Sequence, residues 1–110
     1  MPTYTAVQNL LQQVEIPKDG TASRTLYDDD RIKILVLGFA GGQELSRHTA
    51  PVPAIIHILQ GDARLTLDGE EKELSAGSWV YMEANLPHAI YARTDMVMLL
   101  TRLTEAQAKT

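Results

Sequence analysis

The sequence predicts an all-β domain, either a sandwich or a barrel, on three observations. Seven or eight short apolar segments recur along the chain, turn signals separate them every eight to twelve residues, and no helical pattern of useful length interrupts them. At 110 residues the chain makes about one domain. Its 45% apolar and 22% charged residues match globular proteins rather than disordered ones.

Each element follows from local chemistry. Val7, Leu10, Leu11 and Val14 suit one short amphipathic helix, and an extended arm fits the same residues; Pro17 and Gly20 close residues 1–20 as a helix or arm. Thr21 to Tyr27 reads as a strand, turned by Asp28-Asp29-Asp30. Arg31 to Phe39 reads as a second strand, with Ile32, Ile34 and Val36 on one face and Leu35, Leu37 and Phe39 on the other. Both faces are apolar past Lys33, so this strand should be buried on both sides. Gly41-Gly42 ends it.

Ala54 to Leu59 is the next strand, closed by Gln60-Gly61-Asp62. Ala63 to Leu67 and Glu70 to Leu74 flank Asp68-Gly69, a strong hairpin signal because a type I′ turn needs positive φ at both central residues. Ser75-Ala76-Gly77 turns the chain into Trp79 to Met82. Asn85-Leu86-Pro87 leads into His88 to Arg93, and Thr94-Asp95 turns into Met96 to Arg102. Residues 104–110 read as a frayed or helical tail. No internal repeat, linker or low-complexity segment appears.

Composition also narrows function. With no cysteine there is no disulfide, no thiolate nucleophile and no sulfur ligand for a metal, which fits a reducing cytoplasm. Met1 to Leu10 lacks the basic start and apolar run of a secretory signal. The apolar stretch Ile34 to Ala40 is too short to span a bilayer, so no membrane partner is expected. A net charge of −4 without a Lys/Arg cluster argues against nucleic acid. Asp28-Asp29-Asp30 lacks the further oxygen ligands that calcium needs and reads as a solvated turn.

Two segments resemble the paired motifs of the cupin superfamily. In the first, Gly42, five residues, His48, one residue and Ala50 are followed by Ala54 and Gly61 at the family's offsets. In the second, Gly77 is followed by Glu83, Asn85, His88 and Ala92 at the family's offsets. Asn85 replaces a glycine and tolerates the left-handed backbone region. The resemblance implies a cupin-type double-stranded β-helix, or jelly-roll barrel, over residues 21–103. It also implies a homodimer formed through sheet extension.

The family holds a metal with two histidines and a glutamate from the first motif and one histidine from the second. Here His48 and His88 stand at two of these positions, and Ala50 and Ala54 replace the other histidine and the glutamate. The implied metal set is therefore His48 and His88, for one divalent ion such as zinc, iron, nickel or manganese. A catalytic metal normally has at least three protein ligands. Glu83, Gln43, Glu44 and Tyr81 are the candidates for the third.

By strand alternation, Ala54, Ile56 and Ile58 point inward together, as do His88, Ile90 and Ala92. The expected ligand pocket is therefore His48, Ala50, Ala54, Ile56, Ile58, His88 and Ile90, enlarged and made more apolar by the two alanines. His57 then faces outward. Trp79 and Tyr81 read as core or interface residues. Arg47, next to His48, is a candidate contact for an anionic ligand. Three functions remain open. One is a binder of a small molecule in the barrel. Another is a metal-dependent dioxygenase, isomerase or lyase with a reduced ligand set. The third is a sensory or partner-binding module.

Overall fold

The computed structural model describes residues 3–104. Nine strands follow one another: β1 (Thr21–Asp28), β2 (Lys33–Phe39), β3 (Glu44–His48), β4 (Ala54–Gln60), β5 (Asp62–Leu67), β6 (Glu70–Ser75), β7 (Trp79–Met82), β8 (His88–Ala92) and β9 (Met96–Arg102). They form a five-stranded sheet in the order β1-β2-β9-β4-β7 and a four-stranded sheet in the order β3-β8-β5-β6. Every pairing is antiparallel. The two sheets face each other as a jelly-roll barrel.

The core lies between the sheets because alternation turns one apolar row of each inward. Leu37, Phe39, Ala54, Ile56, Ile58, Met82, Met96 and Met98 come from the five-stranded sheet. Ala63, Leu65, Ile90 and Ala92 come from the four-stranded one. Phe39, Ile58, Leu65 and Met96 are fully buried. Each such side chain contributes roughly 1.5–3 kcal/mol over an exposed one. Unbranched methionines suit this role, because their flexible thioether chains fill irregular gaps.

The turns follow their residues. Asp68 and Gly69 both have positive φ, 49° and 87°, as a type I′ hairpin requires. Asn85 takes a φ of 67°.

One open choice is decided and two expectations need correction. Of the two N-terminal alternatives the chain takes the extended arm, with a single 3₁₀ turn at Leu10–Gln13. No side chain caps that turn, and four residues are too few to nucleate an α-helix. Val14 and Ile16 instead pack over Gly38, where an added Cβ would come within 3.3 Å of Ile16 Cγ1. A strand at Glu44–His48 had no apolar alternation to reveal it, because β3 is an edge strand with only Leu45 partly buried. The second strand starts at Lys33 rather than Arg31 because Asp29 extends the turn. The tail at 105–110 lies outside the described residues.

The Asp29 carboxylate accepts the N–H groups of Arg31 at 2.7 Å and Ile32 at 2.9 Å, and the Tyr27 hydroxyl donates to it at 2.7 Å. The Tyr27 bond comes first among the causes that hold its pKa at about 2, below its ordinary 3.8, and the two backbone donors add to it. A depressed carboxylate contributes stability that is present above its unfolded pKa and lost as pH falls through the folded one. Urea midpoints should therefore decline between about pH 4 and pH 2, and Asp29→Asn should flatten that decline. Superimposable pH profiles for the two proteins would count against this role.

Candidate functional site

Register brings the two motif histidines together. His48 of β3 pairs directly with His88 of β8. Their ring centroids lie 4.3 Å apart, tilted by 56°. Each ring is fixed through one nitrogen. His48 Nδ1 lies 2.8 Å from the carbonyl of Ser46, and His88 Nδ1 lies 2.9 Å from that of Leu86. A carbonyl only accepts, so Nδ1 carries a proton in both rings, and in a neutral ring Nε2 then keeps its lone pair. His48 is exposed and His88 half-buried. Burial pushes the His88 pKa below its ordinary value, His48 adds repulsion, and the bond to Leu86 opposes both.

The same end of the barrel receives two cations from the opposite sheet. Lys33 and Arg102 are register partners, and Arg102 also pairs with Ala54. The next pairs along the strands are Leu35 with Leu100 and Leu37 with Met98, all core residues or packed against the core. By alternation Lys33 and Arg102 continue this inward row and end it at the barrel mouth. A cleft of about 250 Å³ opens there, lined by Lys33, His48, Ala50, Val52, Arg102 and Thr104 among others. Among the described residues no acidic side chain lines it.

The predicted pocket is thus divided. His48 and Ala50 line the cleft at the mouth, and His88 lies against His48 without lining the cleft itself. Ala54, Ile56, Ile58 and Ile90 are buried within the packed core. The interior is not an enlarged apolar hollow, since Phe39, Met82, Met96 and Met98 belong to the same closed cluster. The accessible cleft is instead polar and basic. Lys33 and Arg102 escaped the sequence reading because they lie far apart in the chain, and only the β2–β9 register joins them.

The third-ligand candidates do not converge on the imidazoles. Glu44 pairs with Tyr91, and Tyr81 pairs with Ile55, both on outward rows. Gln43 sits beside Ala92, at the far end of β3. Glu83 is exposed beyond the end of β7. Among the described residues no three His, Cys, Asp or Glu side chains group to hold a metal ion. Two imidazoles facing two cations do not make a tight divalent-metal site, so no step is derived through one. Arg47 is exposed.

On the outer face of the five-stranded sheet, His57 lies between Leu99 and Trp79 and points away from the other histidines. Trp79 is 60% exposed and Tyr81 48%, which removes the core reading for both. A groove of about 1100 Å³ runs between the N-terminal arm and this face, lined by Tyr4, Val7, Leu10, Leu26, Ile34 and Leu99 among others. Among the described residues no helix is long and apolar enough to cross a membrane.

The family model described as Cupin domain matches residues 35–102. A conserved protein of unknown function from Streptococcus pyogenes is 36% identical, with a TM-score of 0.82 over 93% of this chain and 90% of that one. A cupin superfamily protein from Desulfitobacterium hafniense is 25% identical, with a TM-score of 0.82 over 94% of each chain. A salicylate 1,2-dioxygenase from Pseudoaminobacter salicylatoxidans shares the fold at 13% identity and a TM-score of 0.75, over 82% of this chain and 28% of that one. No match was found among the curated proteins.

Proposed function

The chain is a member of the cupin family, and from that premise we propose that it binds a small molecule at the open end of its barrel. The observation that carries this reading is the convergence of His48 and His88, each with a free Nε2, beside an open cleft. Two oriented acceptors and the hydroxyl-bearing Thr49 and Thr104 on the cleft wall suit a polar ligand. Binding is favoured over metal-dependent dioxygenase, isomerase or lyase chemistry because the described donors fall short of three.

A screen of small polar molecules, read by amide nitrogen and proton shifts, tests this reading. A ligand is expected to move Ala50, Val52 and His88 together. Shifts confined to the outer sheet face, or none at all, would overturn it.

We also propose that the protein works as a homodimer, paired through the outer face of the five-stranded sheet rather than by the sheet extension that the resemblance implies. The exposed Trp79 and Tyr81 and the arm groove favour a second copy over a foreign partner, since one face carries both projection and recess. A cytoplasmic setting belongs to the same proposal, supported by the absence of cysteine.

A further inference from the structure

We infer that the molecule held at the barrel mouth carries an oxyanion, a carboxylate or a phosphate, gripped by Arg102 and Lys33. This inference rests on the small-molecule reading above and gives it a chemical class. Its starting point is an awkward pairing. Residues in antiparallel register have Cα atoms roughly 4.5–5.5 Å apart, and like charges placed directly opposite destabilise a sheet. Lys33 and Arg102 occupy such a pair.

The described carboxylates do not relieve it. The ion pairs within 4.0 Å use Arg31, Arg64, Lys72 and Arg93, and include neither Lys33 nor Arg102. Asp28, the register partner of Lys33 on its other side, makes no such contact and does not line the cleft. Both cations are half-buried, and both line the cleft with His48. A bound oxyanion would neutralise the pair where protein groups do not.

The lining fits such a ligand best when it also carries a donor such as a hydroxyl, which an unprotonated Nε2 of His48 can accept. Arginine presents a planar fork that meets carboxylate or phosphate through two parallel hydrogen bonds, and lysine adds a mobile point charge. Thr49 carries a hydroxyl donor on the same wall, while the Thr104 hydroxyl donates to the Asp30 carbonyl at 3.3 Å. A half-buried site strengthens these contacts over those in open water. The cleft of about 250 Å³ corresponds to about eight water volumes at ~30 Å³ each. That is room for a small organic acid and too little for a nucleotide.

The arrangement also accounts for Ala54. The residue pairs directly with Arg102. A carboxylate there would sit against the guanidinium and neutralise it internally. Alanine leaves the fork free for a ligand.

The test titrates the full chain with succinate, inorganic phosphate and neutral succinamide, following amide shifts and melting temperature. Succinate or phosphate should shift Ala50, Val52 and the Lys33–Arg102 pair and raise the melting temperature, and succinamide should not. Arg102→Met should weaken the anion roughly ten- to hundredfold, as expected for losing a charge-assisted hydrogen bond. Lys33→Gln should weaken it less, and Arg102→Lys should restore part of the loss. Raising salt on the unaltered protein should weaken binding too, a readout that needs no variant to fold. If succinamide binds at the same residues as tightly as succinate, the pocket stands and the anion inference fails. If neither anions nor the neutral molecule reach the mouth, both fail. Anion binding that Arg102→Met leaves unchanged also overturns the inference.

Discussion

Replacing Gly61 with alanine is expected to destabilise the protein by roughly 2–5 kcal/mol, a large part of the 5–15 kcal/mol that holds a typical domain together. Gly61 links β4 to β5 at a φ of 86°, where a side chain is strained whatever the space around it. A left-handed residue other than glycine costs about 1–2 kcal/mol. Space is also lacking. An added Cβ would collide with the Asp95 carbonyl oxygen and come within 2.8 Å of Met96 Cα and Cβ. Met96 is fully buried at the start of β9, so the backbone would have to shift to relieve the clash. Such overpacking adds about 1–3 kcal/mol. Gly77 makes the contrast. It also has positive φ, but nothing lies within 4 Å of its added Cβ, so Gly77→Ala should lose only the conformational part. Equal urea midpoints for the two variants would contradict this account.

Truncating Trp79 and Tyr81 to serine is expected to separate the proposed homodimer. The sheet order places β9 at the centre, with β7 and β1 at opposite edges. A two-fold axis running along β9 between two such faces would seat β7 of one copy over β1 of the other. The edges are four strand spacings apart, roughly 19 Å. The exposed aromatics of β7 would then meet the arm groove beside β1 in both directions. The face is about 24 Å wide and 23 Å long, roughly 550 Å² before the arm and side-chain relief are counted. A standard interface buries about 800 Å² per partner, which the arm brings within reach. Buried aromatic anchors contribute about 2 kcal/mol each, and the two-fold places four of them in the interface, so losing all four should raise the dimer Kd by roughly a millionfold and leave monomer. Sedimentation equilibrium checks this. A wild-type chain that stays monomeric at high concentration would contradict the proposal, as would a double variant that associates as tightly. Both residues are exposed in the single chain, so the variant should keep its fold.

The fold was legible where local chemistry is strong. Asp68-Gly69 declared its hairpin, and the strands Trp79–Met82 and Met96–Arg102 begin and end where their residues indicate. Motif spacing indicated the meeting of His48 and His88, because fixed offsets along paired strands translate into register. The N-terminal segment stayed open between helix and arm because its apolar spacing fits both, and packing of Val14 and Ile16 over Gly38 decides for the arm. Strand β3 stayed hidden because an exposed edge strand carries little alternation. The pocket was legible only in part. The predicted apolar lining is core, and the cations that replace it meet through β2–β9 pairing, which no short motif records.

Nitrogen NMR of the three imidazoles tests most directly whether one ligand site is shared by the two motif histidines. His48 and His88 should both report a protonated Nδ1, and their Nε2 signals should move together as a small-molecule ligand is added, while His57 stays still. Movement of His57 alone, or of one mouth histidine without its neighbour, would contradict a common site.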